Sequence, residues 1–231
     1  MDTPGPDLLD ALDRHTGLLE ATVADLDDVT APTLCVGWSR GHVLSHLARN
    51  ADGIAALVRA AVDDTGETMY ASVEARDADI DAGAGRDLSE QAEDVHTTAA
   101  EVNRELRRLR PEHGDTRLER VPGVRFIPGR HLPFMRVREV VYHHVDLDAG
   151  FSFEDVEPDL LRVFLDDEVK RLRRCDPEPD LSISTTEGDQ WTVGLGSTEV
   201  TGPRHAVLGW LARGLTAGIQ ADPLPELPEG R

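Results

Sequence analysis

Apolar residues recur at helical spacing in six stretches of the chain and alternate over two short ones. From Asp7 to about Asp28, Leu8, Leu9, Leu12, Leu18, Leu19, Val23 and Leu26 return every three or four positions, which predicts an amphipathic helix with Pro4 and Pro6 at its start. Pro32 and Gly37 then interrupt the pattern, and Ser39 is placed to cap a second helix reaching about Val62. Its inward face carries Val43, Leu47, Ile54, Leu57, Val58 and Ala61, with His46 and Asn50 at the edge of that face. A third helix, from about Ser89 to Leu109, turns Val95, Ala99, Val102, Leu106 and Leu109 inward and ends at Pro111. A fourth is opened by Pro133, a position that tolerates proline, and runs to about Leu147 with Val137, Val140, Val141 and Leu147 as its buried arc.

Two long connections separate these helices. Asp63 to Asp87 is rich in glycine and acid and lacks an apolar period long enough for a core helix, so it is expected to be a loop. Loops of that length in compact domains are functional or disordered, and Tyr70, Arg76 and Arg86 favour the functional reading. Pro111 to Pro133 is turn-rich, with one short extended piece expected around Val124 to Ile127.

After Asp148-Ala149-Gly150 the pattern changes. A helix from about Glu157 to Cys175 precedes LSISTT and QWTVGLG, two alternating segments separated by the hairpin signal Glu187-Gly188-Asp189. A last helix spans His205 to about Leu215. The expected architecture is α+β: a four-helix bundle over residues 1–150, then a small α+β domain over residues 151–231.

Composition narrows the partners. The chain has 231 residues and a net charge of −20, which argues against nucleic acid and against an anionic membrane surface. Only Cys35 and Cys175 are present, so no disulfide framework or cysteine-rich metal site is encoded, and both read as small apolar residues. The N-terminal segment MDTPGPDLLDALDRH lacks the basic start and apolar run of a signal peptide, and no run of 18 apolar residues follows. These features lead to the expectation of a soluble cytoplasmic protein.

Candidate chemistry sits on the second and fourth helices. Glu139 and His143 are four apart and project from one side of a helix, with Asp146 close by. His46, at the edge of its own apolar face, is able to meet them. Two imidazoles and a carboxylate with a fourth position open are the ligand set of a catalytic zinc. Spacing alone leaves the alternative standing, because histidines beside apolar faces and Glu/His pairs four apart are common without a metal. His42, on the polar side of its helix, and His144, within the apolar arc, read as structural.

The same stretches carry a family resemblance. GWSRGHVLSHLARNADGIAALV, MYASVEARDADIDAGAGR, MRVREVVYHHVDLDAGF and the closing LGWLARG and LPELP resemble, in order, segments of the mycothiol-dependent maleylpyruvate isomerase family, whose N-terminal domain is DinB-like. The resemblance implies a zinc ion, or another divalent metal, held by His46, Glu139 and His143, with mycothiol as a low-molecular-weight thiol cofactor. It further implies that the thiol, deprotonated at the metal, adds to the cis double bond of maleylpyruvate. Rotation and loss of thiolate then give the trans product. It places Arg76 and Arg213 near the open side of the metal as catalytic candidates, suited to a small electrophilic substrate that includes a dicarboxylate. A thiol S-transferase acting on another electrophile, and a noncatalytic metal-binding regulatory bundle, are the alternatives that the same ligands serve.

Overall fold

The computed structural model describes residues 6–228, which fall into two compact units, one spanning Asp7–Gly150 and the other beginning at Phe151. In the first unit, helix α1 (Leu8–Ala24) is capped by Asp7, whose carboxylate accepts from the backbone N–H groups of Leu9 and Asp10. Ala11, Leu12, Leu19 and Val23 are buried, whereas Leu18 faces outward. The helix stops four residues short of Asp28. Asp25, Asp27 and Asp28 would meet the negative end of the helix dipole, and Asp28 instead accepts from the backbone N–H of Thr30 at 2.7 Å.

Helix α2 (Arg40–Asp63) is the centre of this unit. Ser39 precedes it, and its N–H donates to Nδ1 of His42 at 3.2 Å, so His42 serves the helix start. Val43, Leu44, Leu47, Ile54, Leu57 and Val58 are fully buried, while Ala61 lies past the densest packing. Asp64, in the left-handed region at φ 54°, ends the helix.

The segment expected to be a loop contains a helix, α3 (Val73–Ala84), capped by Ser72 through the N–H of Ala75. Only Ile80 and Gly83 are buried on it, so it has no apolar stripe to betray it. It packs on α2 through close backbone approach instead. A Cβ at Gly41 would stand 2.4 Å from the carbonyl oxygen of Ala84, and one at Gly83 would stand 2.1 Å from Oγ of Ser45.

Helix α4 (Leu88–Leu106), capped by Asp87, buries Val95, Ala99, Val102 and Leu106. It ends before Leu109, because the residue ahead of Pro111 is held extended (Arg110, φ −128°, ψ 164°) and Pro111 supplies no N–H. The turn-rich stretch that follows is a complete antiparallel hairpin rather than one extended piece. Strand β1 (Arg117–Val121) pairs with β2 (Val124–Pro128) around Pro122 and Gly123, the latter at φ +71°. Helix α5 (Leu132–Asp146) starts at Leu132, with Pro133 in its first turn. Helices α1, α2, α4 and α5 form the bundle, with α2 against α4 and α5 and α1 against both of the same helices.

In the second unit, α6 (Pro158–Leu172) and α7 (Arg204–Arg213) accompany a three-stranded sheet. Strand β3 (Leu181–Thr185) is central, antiparallel to β4 (Gln190–Val193) and parallel to β5 (Thr198–Gly202). The hairpin at Glu187-Gly188-Asp189 is present, whereas β5, whose only large apolar residue is Val200, shows no alternation and was not expected. Asp189 ties this unit together by accepting from Thr185, Arg162 and Arg204. The chain is thus α+β, and among the described residues no helix is long and apolar enough to cross a membrane.

Candidate metal centre

The two helices with a histidine beside the apolar face bring their polar edges together. Nε2 of His46 on α2 lies 2.8 Å from Oε2 of Glu139 on α5, and Nε2 of His143, one turn along α5, lies 3.5 Å from the same oxygen. One ligand atom from each of the three stands within 4.8 Å of the others. The imidazoles of His46 and His143 meet edge to face, with centroids 4.6 Å apart. Exposure rises from 6 % for the His46 side chain to 14 % for His143 and 27 % for Glu139, so the carboxylate marks the accessible side. Two imidazoles and a carboxylate converging in this way fit one divalent cation with a position to spare.

A second layer orients the first. Asp146, fully buried, has Oδ2 2.8 Å from Nδ1 of His143, which turns Nε2 of that ring toward Glu139. Cys35 lies in this layer, its Sγ 3.2 Å from the same oxygen of Asp146, and the N–H of Leu34 donates to the main-chain oxygen of Asp146. The expectation that Cys35 is a plain apolar residue is therefore corrected: the segment before α2 folds back on the end of α5, a contact between positions 111 apart. Cys35, His143 and Asp146 make a second cluster that shares His143 with the first. Trp38 closes one side, with its ring centroid 5.4 Å from that of His46 and 6.4 Å from that of His143.

The electrostatics follow from burial and contact. Burial, helped by the charge of His143, pushes the pKa of His46 down to about 4, so its imidazole is neutral at neutral pH. Burial opposes ionisation of Glu139 and His143 as well, but there the hydrogen bonds prevail. Glu139 between two imidazoles is held well below the usual carboxylate range, and His143 among Asp146, Cys35 and Glu139 well above the usual histidine range. The set holds a proton on His143 where a cation would take its place.

Arg76, in the helix that had been expected to be a loop, reaches the same place. Its Nη2 stands 3.4 Å from Nδ1 of His46, its Nη1 donates to Asp77 at 2.7 Å, and its guanidinium carbon is 5.8 Å from the centroid of Tyr70. Arg213 belongs to the other unit, in the last turn of α7, where Nη1 donates to the carbonyl oxygen of Ala212. Arg86 ion-pairs with Asp94 and bonds to the carbonyl of Gly83, a role in joining α3 to α4. His144 is buried, with Nε2 2.8 Å from Oγ1 of Thr22, and stands apart from the trio. Asn50 accepts from the buried Arg136, which also donates to the carbonyl of Leu47.

Comparison with known proteins agrees with this architecture. Residues 8–148 match the family described as the mycothiol maleylpyruvate isomerase N-terminal domain. The crystal structure of a mycothiol-dependent maleylpyruvate isomerase superposes with a TM-score of 0.88 at 22 % identity, covering 98 % of this chain and 97 % of that one. A mutant form of such an isomerase superposes equally well, at 21 % identity over the same shares of the two chains. At these identities the likeness is one of fold. No curated protein matches the sequence. With more than half of its length covered by the family match, the chain belongs to the mycothiol maleylpyruvate isomerase N-terminal domain family.

Proposed function

We propose that this protein is a metal- and mycothiol-dependent enzyme that converts maleylpyruvate to its trans isomer, with His46, Glu139 and His143 holding a divalent cation, zinc by donor type. The observation that carries the reading is the convergence of these three ligand atoms within 4.8 Å beneath an accessible carboxylate edge. Metal and thiol together supply a thiolate nucleophile at neutral pH, the chemistry needed for cis–trans conversion by addition and elimination.

The protein's own residues prepare for that chemistry. Asp146 keeps the ring proton of His143 on Nδ1 and so leaves Nε2 as a ligand. When Nε2 of His46 acts as a ligand, its proton resides on Nδ1, which a guanidinium cannot accept. With Nη1 of Arg76 held by Asp77, Nη2 is then left to donate to a substrate carboxylate. Trp38 shields the imidazoles from water on one side. Neither Cys35 nor Cys175 is disulfide-bonded, in keeping with a cytoplasmic setting.

The test is turnover of maleylpyruvate by the purified, metal-loaded protein with and without mycothiol. Activity that requires both supports the proposal. A protein inactive on maleylpyruvate but active on a neutral electrophile with the same thiol would replace isomerisation with S-transfer.

A further inference from the structure

Arg120 stands on β1 with its guanidinium carbon 5.8 Å from the centroid of Tyr70, the same distance at which Arg76 stands from that ring. The two guanidinium carbons are therefore no further apart than twice that distance. Strand and ring are tied through the backbone: the N–H of Met69 donates to the oxygen of Glu119 at 3.0 Å, and the N–H of Tyr70 to the oxygen of Arg120 at 2.9 Å. Arg120 is thus placed beside Tyr70 by paired main chain.

Two guanidinium groups around one ring repel each other, and the weak attraction of each to the ring does little more than offset this. Acidic residues outnumber basic ones in this chain by 44 to 24, so an arginine has every opportunity to find a carboxylate. Arg107 pairs with Asp13, Arg108 with Asp63 and Glu105, and Arg76 with Asp77. For Arg120, no carboxylate stands within ion-pairing distance among the described residues. The acid next to it in sequence, Glu119, is turned away to accept from the N–H of Gly123 at 2.9 Å. A half-buried cation kept without a counter-charge, next to a second cation that touches His46, is arranged for an anion from outside.

We infer that Arg120 and Arg76, held on either contact of Tyr70, form a two-point receptor for a small dicarboxylate, and that Arg120 sets the preference for a dianionic over a monoanionic electrophile. The inference rests on the proposed function for the reaction the dianion undergoes, and on the local geometry alone for its binding. Arg120, which has no carboxylate partner among the described residues, contributes a bidentate contact, and Arg76, whose Nη1 is held by Asp77, contributes Nη2, with the Tyr70 ring spacing them.

The test is calorimetric titration of the metal-loaded protein with maleate, a cis dicarboxylate, and with acrylate, a monocarboxylate, at constant ionic strength. Metal content and thermal midpoint are measured for each variant to show that it is folded. Arg120→Gln should weaken maleate binding tenfold or more and acrylate binding by less than threefold, Arg120→Lys should fall between, and the surface control Arg110→Gln should match the parent. An unchanged maleate affinity in folded Arg120→Gln, an equal loss in Arg110→Gln, or no maleate binding by the parent would overturn the inference. Maleate binding that depends on Arg120 in a protein that does not turn over maleylpyruvate would leave the anion receptor standing and remove the proposed reaction.

Discussion

His46 Nε2 and Glu139 Oε2 lie 2.8 Å apart although 93 positions separate them in the chain. The contact joins the second turn of α2 to the middle of α5, and His143 completes it from the next turn of α5. Each helix is fixed by a fully buried apolar face, Val43, Leu44 and Leu47 on one and Val137, Val140 and Val141 on the other. Packing thus brings the polar edges of the two helices together, and the hydrogen bond from Asp146 orients the ring of His143 within them.

Metal content reads this arrangement. His46→Ala, Glu139→Ala and His143→Ala should each reduce a content of about one metal per chain to a trace, whereas His144→Ala should retain it, because that ring bonds to Thr22. Asp146→Asn should keep the fold and lose roughly 10- to 100-fold in metal affinity, the usual effect of disturbing a ligand's orienting partner. Elemental analysis of purified His46→Ala showing full occupancy would contradict the assignment.

Substrate recognition is read by kinetics. Arg76→Lys keeps the charge but loses the planar fork, and should lower kcat/KM for maleylpyruvate about tenfold, or about 1.4 kcal/mol, with metal content unchanged. If the variant turns over the substrate like the parent, Arg76 does not clamp it.

Glycine at position 41 is read by stability. Gly41→Ala should destabilise the protein by about 1–3 kcal/mol, since the added methyl group meets the backbone oxygen of Ala84 and α3 must shift. Gly85→Ala, where a Cβ meets nothing within 4 Å and φ is −87°, should be close to neutral. Urea denaturation of the two variants compares them directly, and equal midpoints would mean that α3 is not seated on α2 as described.

How much of this was legible follows from how each element is held. The four bundle helices hold themselves by apolar stripes, so their periodicity is visible, and Glu139 and His143 four apart on one of them were legible with it. Helix α3 is held by glycine-to-backbone contact and by the Ser72 cap, which leave no stripe, so the sequence pattern alone puts Arg76 in a loop. The first strand of the hairpin, RLERV, carries adjacent charges at Glu119 and Arg120 that break any alternation, and it is defined only by its partner, which hides Arg120 beside Tyr70 in the sequence. Cys35 meets Asp146 through chain folding alone, and nothing in its neighbourhood of sequence announces it.

Acid titration reads the second unit. Hydrogen bonds from Arg204, which outweigh the cost of burial, and from Thr185 hold the Asp189 carboxyl below its ordinary value. A depressed folded pKa means stabilisation that is fully present above the unfolded value of about 3.9 and is lost as pH falls through the folded one. Asp189→Asn should therefore cost roughly 1.5–3 kcal/mol at pH 7, and the gap to the parent should narrow progressively below about pH 4. Urea denaturation across that range checks it, and a gap of constant size would show that the carboxylate charge is not what matters.

Thiol-dependent chemistry in this protein requires that an external thiol reach a metal held by His46, Glu139 and His143. Cobalt-substituted protein titrated with mycothiol tests this most directly, since a sulfur ligand adds a charge-transfer band that oxygen and nitrogen ligands do not. The band should grow to saturation in the parent and in His144→Ala and be absent in His46→Ala. A spectrum unchanged at saturating thiol, in protein shown to hold cobalt, would contradict it.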